Sequence, residues 1–127
     1  DDLIARRREL ARRYAAALAH VPGIVVPREP EWARTNWQTF AVRLDRADQR
    51  QVMQRMLDEG VSTRRGVMNA HRERSYPADT WRAAGSLTRG ERAQDTVVAL
   101  PLYHDMTLDD QDRVIASLTR AVVAASL

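Results

Sequence analysis

The apolar residues of this chain change their spacing along the sequence, and that change limits the folds it can form. Near the start, Leu10, Tyr14 and Leu18 recur at steps of four, which predicts an apolar stripe on a helix over residues 1–23. A second helical stripe runs over residues 107–127. The two ends of the chain are therefore predicted to be amphipathic helices that bury one side.

Between these helices the spacing predicts four strands and two further helices. The clearest strand is "TNWQTFAVRL", in which alternation puts Phe40 on one face and Trp37 on the other. The predicted strands cover 23–27, 35–44, 61–65 and 96–103, and the predicted inner helices cover 46–59 and 86–94. Asp45 is the expected N-cap of the helix over 46–59, and Thr107 with Asp110 resembles a capping box.

This order of elements within 127 residues predicts a single α+β domain. Its expected architecture is a two-layer sandwich, in which helices cover one face of a small, mostly antiparallel sheet. Residues 66–85 form a long connection without clear periodicity, and a connection of that length in a small domain is commonly functional or disordered.

The composition excludes several kinds of chemistry. There is no cysteine, so disulfides and thiolate catalysis are excluded, and no apolar run is long enough to cross a bilayer. The absence of cysteine fits a cytoplasmic protein. All 20 basic residues are arginine, so no lysine can form a Schiff base or act as a general base. The formal net charge of +3 is a weak argument for nucleic-acid binding.

Basic side chains cluster in and after the predicted strand at 61–65. The segment "GVSTRRGVMNAHRERSYP" contains Arg64, Arg65, His71, Arg72 and Arg74. Such a cluster is compatible with an anion site, a nucleic-acid surface or a solvated loop. The arginine-rich start of the chain is the other nucleic-acid candidate, although arginine stems can equally cover apolar surface in a packed helix.

Other catalytic patterns are missing from the sequence. The three histidines, His20, His71 and His104, are scattered without metal-ligand spacing. No Gly-x-Ser-x-Gly motif and no glycine-rich phosphate loop occur. We therefore predict no metal site and no complete active site in this chain.

Two segments carry a resemblance to a known family. Two segments are the most informative, "GVSTRRGVMNAH" and "VALPLYHDMTLDDQDRVIASL", and they follow "RRELARRYAAAL" and "NWQTF". This order resembles that of the C-terminal small domain of the DegT/DnrJ/EryC1/StrS sugar aminotransferases. The whole chain, residues 1–127, resembles that one domain of these fold-type I, pyridoxal-phosphate enzymes. The resemblance implies that a large N-terminal domain, absent here, carries the cofactor lysine and most cofactor contacts.

The resemblance also implies an activity for the parent protein. Its substrates would be a nucleotide-linked keto-sugar and an amino-acid donor, commonly glutamate, and the active site would lie at the interface of a homodimer. The 127-residue chain itself is expected to be inactive and to hold no cofactor covalently. If it is an excised domain, it should expose apolar surface where the large domain and the partner subunit contact it.

Three residues are candidate substrate ligands by this resemblance. Arg64 would position or support the wall of the substrate cleft, and His71 would donate a hydrogen bond to the sugar or to a phosphate. Asn36 is the third candidate. The alternative is that Arg64 pairs with a carboxylate of the domain and that His71 stacks within its loop. For Trp37, burial under a helix and contact with the large domain remain equally open.

Two other functions are also compatible with the sequence. A stand-alone interaction or regulatory module with the same fold would need no catalytic half. A basic nucleic-acid-binding domain would use the first helix and would bind with an affinity that falls steeply with salt.

Overall fold

A computed structural model of the protein describes residues 2–126. Within that range, four α-helices and four strands follow one another in the predicted order, and one short 3₁₀ turn lies inside the predicted connection over 66–85. In chain order they are α1 (Asp2–Leu18), β1 (Ile24–Val25), β2 (Phe40–Leu44), α2 (Gln49–Asp58), β3 (Arg64–Arg65), the 3₁₀ turn (Ala70–Arg72), α3 (Thr88–Thr96), β4 (Val97–Leu100) and α4 (Leu108–Ala125).

The four strands form one open antiparallel sheet in the order β1-β2-β4-β3. Phe40 pairs with Leu100 and Val42 pairs with Val98, so these side chains share one face of the sheet, and all four are buried. The predicted α+β architecture is confirmed, and the sheet is antiparallel at every pairing within the described residues. β3 lies at one edge, so one of its sides has no neighbouring strand.

The helices cover the buried face of the sheet with apolar side chains at helical spacing. These side chains are Leu10, Tyr14 and Leu18 from α1, Val52 and Met56 from α2, and Val114, Leu118 and Val122 from α4. Leu57 of α2 does not join this buried layer, since it is 54% exposed beside the open edge of β3. The packed layer therefore ends at that edge.

The predicted strand over 35–44 begins five residues later than expected. The Thr35 hydroxyl accepts the backbone N–H of Trp37, and the Asn36 side-chain oxygen accepts that of Gln38. These local bonds favour a turn over a strand, and Trp37 has a φ of 50°. The Trp37 ring consequently packs 5.5 Å from that of Phe40, rather than on the opposite face as predicted.

Helix caps fix the ends of α2 and α4. The N-cap of α2 is Asp48, whose carboxylate accepts the Gln51 N–H at 2.9 Å, so the prediction of Asp45 was wrong. The capping box of Thr107 with Asp110 is present, because each side chain accepts the other's backbone N–H at 3.0 Å.

Candidate functional site

His71 lies in the 3₁₀ turn and is held from two sides. Its Nε2 lies 3.0 Å from a carboxylate oxygen of Glu91 on α3, and its ring lies 5.1 Å from that of Trp81. An ionised carboxylate only accepts hydrogen bonds, so the imidazole donates at Nε2. In the neutral ring, Nδ1 is then an acceptor, and it becomes a donor only when the ring is protonated.

Asn69, which the sequence analysis did not single out, anchors the same stretch. Its side-chain amide donates to the Gly90 carbonyl and to Gln94 Oε1, both at 2.8 Å, and its backbone N–H donates to Gln94 Oε1 at 2.9 Å. A Cβ on Gly90 would approach the Asn69 side-chain oxygen to 2.8 Å. This close contact with α3 explains how part of an irregular connection takes one conformation.

Arg64 is exposed on β3 and lines a cavity of about 310 Å³ at one end of the sheet. This sheet-end cavity, which we define by Gln38, Thr39, Arg64 and Leu100, opens where β2 begins and β4 ends. No carboxylate of residues 2–126 lies within ion-pair distance of Arg64. The hydroxyl of neighbouring Thr63 is buried and has no hydrogen-bond partner among those residues.

Asn36 lies elsewhere, in an exposed turn, and its side-chain oxygen accepts the Gln38 N–H at 3.1 Å. It lines a separate cavity of about 590 Å³ with Arg8, Arg12 and Arg34. Arg64 and Asn36 thus line different cavities, and His71 lines neither of them. The structure does not bring the three predicted ligands into one cavity.

Four basic side chains surround a third cavity, of about 670 Å³. We name it the arginine cavity and define it by Arg50, Arg65, Arg72 and Arg74. Three of these arginines belong to the cluster noticed in the sequence, whereas Arg50 comes from α2. Arg72 donates to Asp95 at 2.7 Å, and this hydrogen bond raises the pKa of its guanidinium. Guanidinium groups arranged around a polar cavity are suited to phosphate oxygens.

Three arginines of α1, Arg6, Arg8 and Arg13, are occupied by contacts within the domain. Arg6 donates to the Met106 carbonyl at 2.7 Å, Arg8 donates to the Thr35 carbonyl, and Arg13 pairs with Asp112 at 2.6 Å. These contacts favour the packing interpretation of this helix over a nucleic-acid surface. Among residues 2–126, no group of three histidine or acidic side chains is placed to hold a metal ion, and no helix is long and apolar enough to cross a membrane.

Solved structures with the same fold define the class of this protein. An aminotransferase, TlmJ from Streptoalloteichus hindustanus, superposes with a TM-score of 0.84 at 28% identity, over 98% of this chain and 33% of that one. DesI, solved in the presence of its TDP-sugar product, also gives a TM-score of 0.84, at 26% identity over 97% of this chain and 32% of that one. The fold is therefore that of an aminotransferase domain.

The sequence model of the DegT/DnrJ/EryC1/StrS aminotransferase family matches residues 1–119, and the chain belongs to this family. The erythromycin biosynthesis sensory transduction protein EryC1 of Saccharopolyspora erythraea is 34% identical over 119 residues, which are 93% of this chain and 32% of that protein. The resemblance predicted from the sequence is confirmed. The chain spans about a third of the length of the relatives it matches.

Enzymes of this family depend on pyridoxal phosphate. Covalent attachment of that cofactor through its aldehyde needs a lysine amine, and this chain contains no lysine. The residues present therefore do not fit covalent attachment of the cofactor. What this chain offers is guanidinium, imidazole and amide groups, which can bind and orient a polar ligand.

Proposed function

We propose that this chain is the C-terminal small domain of a pyridoxal-phosphate-dependent aminotransferase that acts on a nucleotide-linked keto-sugar. The large N-terminal domain of the parent protein supplies the lysine and binds the cofactor, and an amino acid such as glutamate provides the amino group. The parent is a cytoplasmic homodimer, and this domain forms one wall of the substrate cleft. Without the other domain, the 127-residue chain is inactive.

The observation that carries this proposal is the family match over residues 1–119 in a chain that spans about a third of its relatives. The TDP-sugar product present with DesI supports a nucleotide-linked sugar as the substrate class. Exposed apolar side chains support a missing neighbour. Trp32 is 88% exposed, and Leu3 and Ile4 in the first turn of α1 are also exposed.

In this proposal, the two central wall residues have different roles. Arg64 is exposed and carries no ion pair within residues 2–126, so its guanidinium is available to a ligand at the sheet-end cavity. His71 already donates to Glu91 through Nε2, so only Nδ1 can meet the substrate. A neutral His71 accepts a sugar hydroxyl, whereas donation to a phosphate requires the protonated ring.

The test uses the full-length native protein, as the source cells produce it. His71→Ala should raise the KM for the nucleotide-linked sugar roughly tenfold, while the absorption spectrum of the bound cofactor stays unchanged. His104→Ala is the matched control, because His104 is exposed and makes no side-chain hydrogen bond within residues 2–126. Unchanged sugar kinetics in His71→Ala would remove His71 from the wall.

Glu91→Ala separates direct contact from positioning. This variant keeps the imidazole but removes the carboxylate that holds it at 3.0 Å. If His71 contacts the sugar, Glu91→Ala should raise KM less than His71→Ala does. Equal effects of the two changes would mean that His71 only anchors the 3₁₀ turn to α3.

A stand-alone interaction module is the second candidate, and the exposure of Trp32 also favours it. It differs from the first proposal in the size of the native polypeptide. A module would be made at about the mass of this chain, 14.5 kDa, and would bind its partner without any transaminase activity.

A further inference from the structure

β3 leaves one side of the sheet open, and backbone groups of this strand point toward that side. The Gly66 N–H donates to the Val97 carbonyl at 3.0 Å, so the backbone of Gly66 is directed toward β4. Successive residues of an antiparallel strand direct their backbone groups to opposite sides. The N–H and the carbonyl of Arg65 therefore point away from β4. Because β3 is the last strand of the sheet, these two groups have no strand to pair with among residues 2–126.

A largely apolar groove runs beside this open side, between α2 and β3. We name it the edge groove and define it by Arg50, Met53 and Leu57 of α2 together with Thr63 and Arg65. Its volume is about 370 Å³. Leu57 is 54% exposed there, and Met53 is half-buried. Exposed apolar surface beside unpaired strand groups is the combination that binds an extended peptide as an added strand.

The register of β3 against β4 determines which side chains of an added strand would enter the edge groove. Arg65 pairs with Val98, which is buried beneath the helices, so the Arg65 side chain lies on the helix-covered face. Arg64 pairs with Ala99 and lies on the opposite face, where it lines the sheet-end cavity. In a strand added beside β3, every second side chain would therefore point into the edge groove. The groove thus favours a ligand whose sequence alternates with a period of two.

Two guanidiniums border the edge groove without an anionic partner. No carboxylate of residues 2–126 lies within ion-pair distance of Arg50 or Arg65. Both also line the arginine cavity, so the two cavities are neighbours. If two copies of this chain paired through β3, these arginines would face their own counterparts and repel one another. Carboxylates in a different ligand would instead form charge-assisted hydrogen bonds with them.

We infer that the edge groove binds an extended, acidic segment of another polypeptide, which adds a further strand beside β3. The backbone of this segment pairs with the N–H and the carbonyl of Arg65. One apolar side chain of the segment packs on Met53 and Leu57, and a carboxylate two positions away contacts Arg50 or Arg65. The inference is independent of the proposed function, because it uses neither the sugar substrate nor the cofactor.

Synthetic peptides titrated with the full-length native protein at low salt, followed by fluorescence anisotropy, test this inference. In the glutamate peptide, threonines alternate with the series glutamate, leucine, glutamate, so that these three side chains share one face. The lysine peptide has lysine in place of both glutamates. The scrambled peptide has the composition of the glutamate peptide without the alternation. The unchanged protein should bind the glutamate peptide at least roughly tenfold more tightly than either of the others.

Variants of the protein locate the binding at the edge groove. Leu57→Asp should weaken binding of the glutamate peptide roughly tenfold or more, because it removes an apolar contact and adds a like charge. Val123→Asp is the matched control, since Val123 is a 56% exposed residue of α4 that does not line the groove. Arg50→Glu should reverse the preference, so that this variant binds the lysine peptide more tightly than the glutamate peptide. Thermal unfolding of each variant confirms that it is folded.

Binding of the glutamate peptide that is weakened in Leu57→Asp, kept in Val123→Asp and reversed in Arg50→Glu supports the site. Absence of binding by the unchanged protein overturns the inference, as does equal binding of the scrambled peptide. An equal loss in Leu57→Asp and Val123→Asp also overturns it. If sedimentation velocity shows that Leu57→Asp separates the protein into monomers, the groove binds a second copy and the inference is overturned. None of these results depends on the sugar kinetics that test the proposed function.

Discussion

Gln111 in α4 and Leu10 in α1 lie 101 positions apart, and the Gln111 side-chain amide donates a hydrogen bond of 2.7 Å to the Leu10 backbone carbonyl. Both residues are buried, and the Gln111 side-chain oxygen accepts from Arg13 at 3.2 Å. A buried amide is stable only where its polar atoms are paired. This pair therefore fixes the position of α1 against α4, the two helices at opposite ends of the chain.

Replacing that amide should destabilise the protein. We expect Gln111→Ala to lower the free energy of unfolding by about 1 to 3 kcal/mol, because it removes a buried hydrogen bond and leaves a cavity. Asp112→Ala is the control, since the exposed Asp112 makes only a surface ion pair with Arg13, worth about 0 to 1 kcal/mol. Urea unfolding of both variants measures the difference. Equal losses would show that Gln111 does not join the two helices.

Gly66, directly after β3, packs tightly against β4, because its N–H donates to the Val97 carbonyl at 3.0 Å and a Cβ there would lie 2.2 Å from Val97 Cγ1. Gly66→Ala should therefore lower the free energy of unfolding by about 1 to 3 kcal/mol, because the added methyl group overpacks this contact. Gly85→Ala is the matched control, because nothing lies within 4 Å of a Cβ at that position. We expect Gly85→Ala to be neutral or slightly stabilising. Thermal unfolding that ranks the two variants the other way would contradict the close contact.

The Thr107–Asp110 capping box should make stability depend on acid pH. Hydrogen bonds from the Thr107 hydroxyl and backbone N–H lower the pKa of Asp110 below its ordinary value. In the unfolded chain the pKa of an aspartate is about 4. Because the pKa of Asp110 is lower in the folded protein, its ionised carboxylate stabilises the fold fully above that unfolded-state pKa, and this stabilisation is lost as the pH falls through the folded-state pKa. The stability gap between the unchanged protein and Asp110→Asn should therefore shrink between about pH 5 and pH 2. Urea midpoints that keep a constant gap would contradict this role.

Tyr14 should make stability depend on alkaline pH in the opposite sense. Burial raises the pKa of Tyr14, and its hydroxyl donates to the Pro101 carbonyl at 2.8 Å. In the unfolded chain the pKa of a tyrosine is about 10. Because the pKa of Tyr14 is higher in the folded protein, its neutral hydroxyl stabilises the fold fully below that unfolded-state pKa, and this stabilisation is lost as the pH rises above it. Tyr14→Phe should lower the free energy of unfolding by about 1 kcal/mol at pH 7, because it removes the hydrogen bond to Pro101. As the pH rises further, the variant should lose less stability than the unchanged protein does. A parallel loss in both would mean that another group sets the alkaline limit.

The periodic parts of the fold were predictable because burial alone sets their pattern. Leu10, Tyr14 and Leu18 in α1, and Phe40 with Val42 in β2, are buried as their spacing indicates. The start of β2 was not predictable in this way. The Thr35 and Asn36 side chains bond to nearby backbone N–H groups, and that local competition is invisible to an alternating pattern.

The candidate site was predictable only where its residues are close in sequence. Arg65, Arg72 and Arg74 stood out as a cluster, whereas Arg50 reaches the same cavity from α2 and gave no signal. The partner of His71 is Glu91, twenty positions later on α3, and only the folded chain brings the two together. Contacts of this kind depend on tertiary packing, which no local pattern encodes.

We propose that this chain is one domain of a larger aminotransferase, and the mass of the native polypeptide decides whether it is. An antibody raised against the 127-residue chain would detect that polypeptide in an immunoblot of the source cells. Because the chain covers 32% of EryC1 and 33% of TlmJ, we predict a band about three times its own mass of 14.5 kDa. A single band near 14.5 kDa would contradict the claim and would favour the stand-alone interaction module.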